Sequence, residues 1–359
     1  MNFLVLGLGA ESPPRPLRLA FIGDIMAHDV NFGMNDYGRI YSPVSSYFKD
    51  SDYAFGQLEF VVDSDRPWAS YPRFNVHTSY VESAIDSGLN VFSIANNHTT
   101  DYKSDGVLAT RESLSQLADR HRIHFSGARG ESDGRFEVTS IEWEGKSIGV
   151  LAITRILNDH SGSELTYYVP HAEEAADGFL DLLEEVTKSY DLFILSVHDG
   201  TEYRPSPDSR SRRFYRRAVD AGVDILWGHH PHVLQPWELV EGEDGRRAVI
   251  MPSLGNFVSG QTWRIGPAEY DHWRAETGDS AVFRVSVAFT QDGATVSDVD
   301  PVPITHYHHP DGGVTVEELL PMRFREDVDP AWRRFYRFRA SDNAGIHRRY
   351  TYEHMRGLD

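Results

Sequence analysis

The sequence predicts an α/β fold with mixed sheets, on three observations. Short apolar runs ending in a polar residue recur along the chain, helix-like segments separate them, and two stretches read as hairpins. The first run, Leu17 to Gly23-Asp24, is a buried strand that delivers an aspartate to a loop. The same shape returns at Tyr53 to Glu59, Val91 to Asn97-His98, Asp191 to His198, Val223 to His230 and Ala248 to Asn256. Apolar residues at helical spacing mark Ser79 to Ser87, Gly106 to Arg120, Glu173 to Lys188 and Ser209 to Ala221. In the last of these, Arg210 to Arg217 read as a solvated face, with Phe214, Ala218 and Val219 packing inward. Such alternation gathers a site at the carboxyl ends of the strands. Residues 133–153, turning at Glu144-Gly145-Lys146, and Ala281 to Ile304, turning at Asp292-Gly293, are the hairpins that make the sheets mixed.

Composition narrows the function. A chain of 359 residues, 40% hydrophobic, can bury a sizeable core. Its formal charge of −19, from 54 acidic and 35 basic residues, argues against nucleic acid as a partner, and an acidic polymer would be repelled except at a local basic patch. With no cysteine, any metal must be held by His, Asn and carboxylates. Residues 1–17 read as a separate N-terminal segment. Its apolar start, Met1 to Ala10, is too short to span a bilayer. It fits either the remnant of an export signal or anchor, which would make the protein extracytoplasmic or envelope-associated, or a frayed terminus of a cytoplasmic one. No later stretch approaches a membrane span. Residues 18–309 read as the main domain and 310–359 as an extension rich in Arg and aromatics. Trp332 to Arg339 and His347 to Tyr352 suit an amphipathic tail packed on the acidic body, or a binding patch.

The segment Gly228-His-His-Pro-His232 closes an apolar strand and aims imidazoles at adjacent points, which suits a metal centre. Asp24, Glu59, Asn97-His98 and His198 occupy matching strand ends and add hard and borderline ligands for Zn, Mn or Fe. Arg73 could grip an anionic group or pair on the surface; Glu202 and Tyr203 could line the pocket or close a turn. Asn256 could face the site or satisfy buried backbone. The aromatics of Gln261 to Gly266, with Tyr270, Trp273 and Arg274, could shape substrate binding or cover the core. A phosphate-binding glycine loop and a nucleophile elbow are both missing from the sequence.

Taken in order, Gly23-Asp24, Gln57-Leu-Glu59, Ala95-Asn-Asn-His98 with Asp101 and Gly106, His198-x-Gly-x-Glu-Tyr203, Gly228 to Gln235 and Ser253 to Phe257 resemble the motif set of CapA-type proteins of poly-γ-glutamate capsule synthesis. Those proteins are similar to calcineurin-like metallophosphatases. The resemblance spans about residues 18–258. It implies a four-layer sandwich of two mixed sheets flanked by helices, one or two divalent cations, and a hydrolase acting on a phosphoester or γ-glutamyl amide. An anionic polymer or phosphorylated small molecule would be the substrate, and membrane-associated capsule machinery the partner. Carried over by position, Asp24 would bind the first metal with His232, Glu59 would bridge, and Asn97, His198 and His230 would complete the shell of the second metal. His98 is the acid or orienting group, and His229 falls at a variable position, beside the ligands. Met26 stands where related phosphatases carry histidine, with His28 or Asp29 as substitutes unless they cap the following turn. His198-Asp199-Gly200 replaces the usual His-Trp-Gly. The alternative from another class is a non-catalytic polymer-binding or assembly protein with a degraded metal site.

Overall fold

The computed structural model describes residues 15–129, 136–242, 245–291, 293–310 and 312–343. The apolar start and His347 to Tyr352 lie outside the described residues. In chain order the main strands are β1 (Leu17–Ile25), β2 (Tyr53–Leu58), β3 (Val91–Ser93), β4 (His124–Ser126), β5 (Thr139–Trp143), β6 (Lys146–Thr154) and β7 (Leu192–His198). They continue with β8 (Ile225–His229), β9 (Glu238–Glu241), β10 (Arg247–Met251), β11 (Asn256–Val258), β12 (Asp279–Thr290), β13 (Gly293–His308) and β14 (Val314–Glu318). The longer helices are α1 (Thr78–Asp86), α2 (Lys103–Arg120), α3 (Glu173–Val186), α4 (Ser209–Asp220) and α5 (Pro330–Asp342).

Among the described residues these strands form two main sheets, both mixed, beside a small two-stranded pairing of Val61–Val62 with Asn75–Val76. The first runs β14-β13-β12-β1-β2-β3-β4, with β11 beside the end of β1, and the second runs β9-β10-β8-β7-β6-β5. β1, β2, β3 and β4 are parallel neighbours, as are β6, β7, β8 and β10, whereas the β5–β6 and β12–β13 hairpins are antiparallel.

Strand periodicity explains the layering. In β1, Leu17, Leu19 and Phe21 enter one core while Ala20 and Ile22 enter another. In β7, Leu192 and Ile194 join that first core, and Phe193, Leu195 and Val197 a third. The shared core therefore lies between the sheets. The second, with Tyr80 and Val81 of α1 and Val107 and Leu114 of α2, lies under one helical layer; the third, with Phe179 and Leu183 of α3 and Phe214 and Ala218 of α4, lies under the other. The order helix, sheet, sheet, helix is the four-layer sandwich that the resemblance implies. Each fully buried Leu or Phe contributes roughly 1.5–3 kcal/mol to holding the layers.

The C-terminal extension is more integral than the expected boundary at 309/310 suggests. β14 lies beyond that boundary and pairs with β13, from Ile304 opposite Glu318 to His308 opposite Val314. After it, α5 packs Phe335, Tyr336 and Ala340 on Ile265, Ala275 and Met322. No helix among the described residues is long and apolar enough to cross a membrane.

Candidate metal centre and its cleft

The two sheets are pinned where the candidate ligands emerge. Trp227 of β8 donates its indole N–H to the Ile22 carbonyl of β1 at 2.9 Å. Two residues further along each strand stand Asp24 and His229, with Oδ1 and Nδ1 3.0 Å apart. Asp24 reaches this interface because β1 is irregular between Phe21 and Asp24. Ile22 and Ile25 both enter the outer core, three residues apart, which a regular strand does not permit; the irregularity turns Asp24 toward the second sheet. Gly23 is needed here, since a Cβ would lie 1.8 Å from the Gly255 carbonyl oxygen. Gly228 stands likewise, its Cβ position 2.1 Å from the Pro252 oxygen. The backbone at His230 (φ 96°) and His232 (φ 59°) takes the left-handed conformation that non-glycine residues seldom adopt.

Two overlapping groups of ligand atoms form around these turns. Those of Asp24, Glu59 and His232 lie within 4.8 Å of one another, as do those of Glu202, His230 and His232. His232 Nδ1 is 3.2 Å from Asp24 Oδ2, and its Nε2 is 3.7 Å from Glu59 Oε1. His198 brings its ring 4.9 Å from that of His230, and its Nε2 lies 2.9 Å from Asn97 Oδ1. Among the described residues, both Glu59 oxygens, His198 Nδ1, His230 Nδ1 and His229 Nε2 are buried without a hydrogen-bond partner. A buried carboxylate lacking donors is costly, and imidazole nitrogens converging on carboxylates are what a divalent cation satisfies. The residues present fit a divalent cation.

The electrostatics point the same way. Burial alone would raise Asp24, but hydrogen bonds with His229 and His232 outweigh it and hold its carboxyl well below the usual range. Glu59, buried without donors, is pushed well above that range. Burial lowers His198 strongly and brings His230 to about 3, so both stay neutral and available as ligands. His232 goes the other way: burial opposes its charge, yet Glu59 and Asp24 raise it to about 9.

A cleft of about 580 Å³ opens onto these groups. His98, Glu202, Tyr203 and His232 line it together with Met26, and Tyr71, Gln261, Trp263, Arg264, Trp273 and Arg274 form its rim. The aromatic segment after Gln261 thus borders the site. His98 Nδ1 meets Asp101 Oδ2 at 2.7 Å; that oxygen also accepts from the Phe74 N–H at 2.8 Å, so Asp101 fixes the imidazole. Tyr203 packs on Trp273, ring centroids 4.6 Å apart, and its hydroxyl accepts from Gln261 Nε2 at 3.3 Å.

Two of the candidate substrate residues, Arg73 and Asn256, are not among those lining the cleft. Arg73 is exposed and does not line the cleft; the same loop presents Tyr71 instead. Asn256 spends its amide on protein: Oδ1 lies 2.9 Å from His232 Nδ1, and Nδ2 donates to Ser259, Gln261 and Thr277. It therefore acts through the His232 ring. The substitutes for the missing histidine are also engaged, His28 Nδ1 accepting from the Gly260 N–H at 3.0 Å and Asp29 Oδ1 from the Val30 N–H at 2.9 Å.

Sequence reasoning missed Asn158 and placed His229 beside the ligands without a partner. His229 touches Asp24 directly, and period two carries the signal, because His229 follows Trp227 onto the face between the sheets. Asn158 accepts from Asn97 Nδ2 at 3.3 Å and places its own Nδ2 3.4 Å from the His98 ring nitrogens. It sits after β6, whose apolar run ending in Thr154-Arg155 repeats the strand-end pattern.

The family model for the bacterial capsule synthesis protein PGA_cap matches residues 18–261. The chain is 30% identical over 305 residues to the capsule biosynthesis protein CapA of Bacillus anthracis, covering 80% of this chain and 67% of that protein. It is 29% identical over 296 residues to the PGA biosynthesis protein CapA of Bacillus subtilis (strain 168), covering 80% of this chain and 72% of that one. Among solved structures, the calcineurin-like phosphoesterase YfkN of Bacillus subtilis is similar at a TM-score of 0.44 and 11% identity, over 82% of this chain and 91% of that one.

Proposed function

The chain belongs to the bacterial capsule synthesis protein PGA_cap family, and from that membership we propose a metal-dependent hydrolase of capsule or cell-envelope metabolism. Its candidate bonds are the phosphoester and the γ-glutamyl amide, in an anionic polymer or a phosphorylated small molecule. One observation carries the reading: four buried candidate ligand atoms of Glu59, His198 and His230 have no hydrogen-bond partner among the described residues, beside a cleft large enough for a substrate.

Asp24, Glu59 and His232 would hold one cation, and Asn97, His198 and His230 a second, with Glu202 in reach of His230 and His232. When bound, a divalent cation supplies Lewis acidity and an activated water. The chain's own residues do the rest. Asp101 would accept a hydrogen bond from the Nδ1–H of His98, which leaves Nε2 free to face the leaving group. Asn256 and Asp24 orient His232 through Nδ1 and leave its Nε2 toward Glu59. Arg264 and Arg274 on the rim suit an anionic substrate, and Trp263, Trp273 and Tyr71 limit water access.

Met26 in the cleft wall favours a second reading, a polymer-binding or assembly protein whose metal site has degraded. Elemental analysis after Mn or Zn loading, with hydrolysis assays on p-nitrophenyl phosphate and poly-γ-glutamate, separates the two. Retained metal with turnover supports the hydrolase; neither metal nor turnover leaves only the scaffold.

A further inference from the structure

We propose that the chain carries a second site, distinct from the metal cleft, that binds an extended oligoanion between α3 and α4 on the outer face of the second sheet. A separate cleft of about 280 Å³ lies there, lined by Arg155, His171, Glu173, Arg210, Arg213 and Arg217 and sharing no residue with the metal cleft.

Three features set it apart from an ordinary solvated helix face. First, Arg155 is only 2% exposed. Its guanidinium lies 4.0 Å over the Phe214 ring, its Nη1 reaches Asp199 Oδ2 only at 3.5 Å, and its Nε is buried with no partner among the described residues. Asp199 cannot answer it fully, because that carboxylate also meets His171 Nε2 at 2.6 Å and accepts from Ser211 Oγ at 3.1 Å. Secondly, Arg210, Arg213 and Arg217 share one face of α4, spaced over about 10 Å at 1.5 Å per residue. Arg217 pairs with Asp177 at 2.7 Å, whereas Arg210 and Arg213 have no ion pair among the described residues. Thirdly, Arg210 occupies the first turn of α4, where a cation opposes the helix dipole. A chain with nineteen excess negative charges nevertheless concentrates four guanidinium groups here.

Those guanidinium forks match carboxylate and phosphate oxygens two at a time, and their spread along α4 suits a chain of anions better than one phosphate. Glu173 also lines the cleft, and Asp199 behind it faces Arg155 and His171.

The experiment is calorimetric titration of the full chain at about 50 mM salt with three probes: oligo-γ-glutamate, tripolyphosphate and inorganic phosphate. Wild type binds at least one oligoanion more tightly than inorganic phosphate, and the tighter of the two names carboxylate or phosphate as the source. The Arg210→Ala/Arg213→Ala double variant loses about tenfold or more in affinity for that oligoanion. Its bound metal and its rate on p-nitrophenyl phosphate stay as in wild type, so this test stands or falls apart from the hydrolase reading. A charge-matched Arg334→Ala/Arg337→Ala variant on the exposed side of α5 keeps wild-type affinity. Oligoanion binding that is absent below about 1 mM, unchanged in the first variant, or equally weakened in both overturns the site.

Discussion

Glu59 Oε1 lies 3.7 Å from His232 Nε2, and neither oxygen of Glu59 accepts a hydrogen bond from the described residues. A carboxylate so placed weakens the metal-free chain, a cost that a bound cation would offset. Glu59→Leu is expected to stabilise the metal-free protein by about 1–3 kcal/mol in urea unfolding. The same change should lower retained Mn or Zn more than about tenfold. A metal-free variant no more stable than wild type would show that the carboxylate is already satisfied in the fold.

His198 ends β7 and His230 follows β8 directly, so both imidazoles project from strand ends and leave the sheet hydrogen bonds untouched. His198→Ala and His230→Ala should each reduce turnover by about 10³-fold or more while unfolding remains cooperative. His98→Ala should cost about 10²–10⁴ in kcat with KM little changed, and Asp101→Asn should follow it in the same direction because Asp101 sets the His98 tautomer. Wild-type rates in either ligand variant would refute the ligand assignment.

Much of this arrangement was legible in the sequence because its grammar is local. An apolar run with a polar terminus marks both a strand and the residue delivered at its end, and Asp24, Glu59, Asn97, His198 and His230 are all of that kind. What could not be read depends on pairing between distant segments. Asn256 looks like a cleft residue until β11 is seen beside β1, where its amide is consumed by His232 and the turn around it. Arg73 and Tyr71 are indistinguishable as loop residues, and only the fold decides which one borders the cleft. β14 was hidden because five residues, Val314–Glu318, give too short an alternation to outweigh the change of composition at 310.

His306 gives a pH dependence away from the ligands. Burial lowers its pKa from 6.5 to about 4, and it sits between the Phe257 carbonyl at 3.0 Å and Thr262 Oγ1 at 3.3 Å. Between those two values the unfolded chain binds a proton that the folded chain refuses. The neutral form's contribution is therefore complete above pH 6.5 and is lost as pH falls toward 4, by roughly 3 kcal/mol at most. His306→Gln should remove about one proton from the slope of stability against pH in that window. An unchanged slope, measured by urea midpoints across the range, would assign the acid loss elsewhere.

Arg339 and Asp279 form the joint between the C-terminal helix and the cleft. Arg339 Nε donates to Asp279 Oδ2 at 2.7 Å, Asn343 Nδ2 donates to the same oxygen at 2.7 Å, and both Arg339 and Asp279 are buried. Arg339 Nη1 also reaches the Tyr270 carbonyl at 3.3 Å. The joint thereby clasps both sides of the Trp273–Glu276 turn that presents Trp273 and Arg274 to the cleft rim. Removing one partner strands the other in the core, so Arg339→Ala should destabilise by about 3–5 kcal/mol. Replacing both, as Arg339→Met/Asp279→Leu, should recover most of that loss, because no isolated charge remains buried. If the rim binds substrate, the single variant should also raise KM several-fold more than it lowers kcat at temperatures where it stays folded. A stability loss under about 1 kcal/mol in Arg339→Ala would mean that Asn343 and the apolar face of α5 hold the extension without the ion pair.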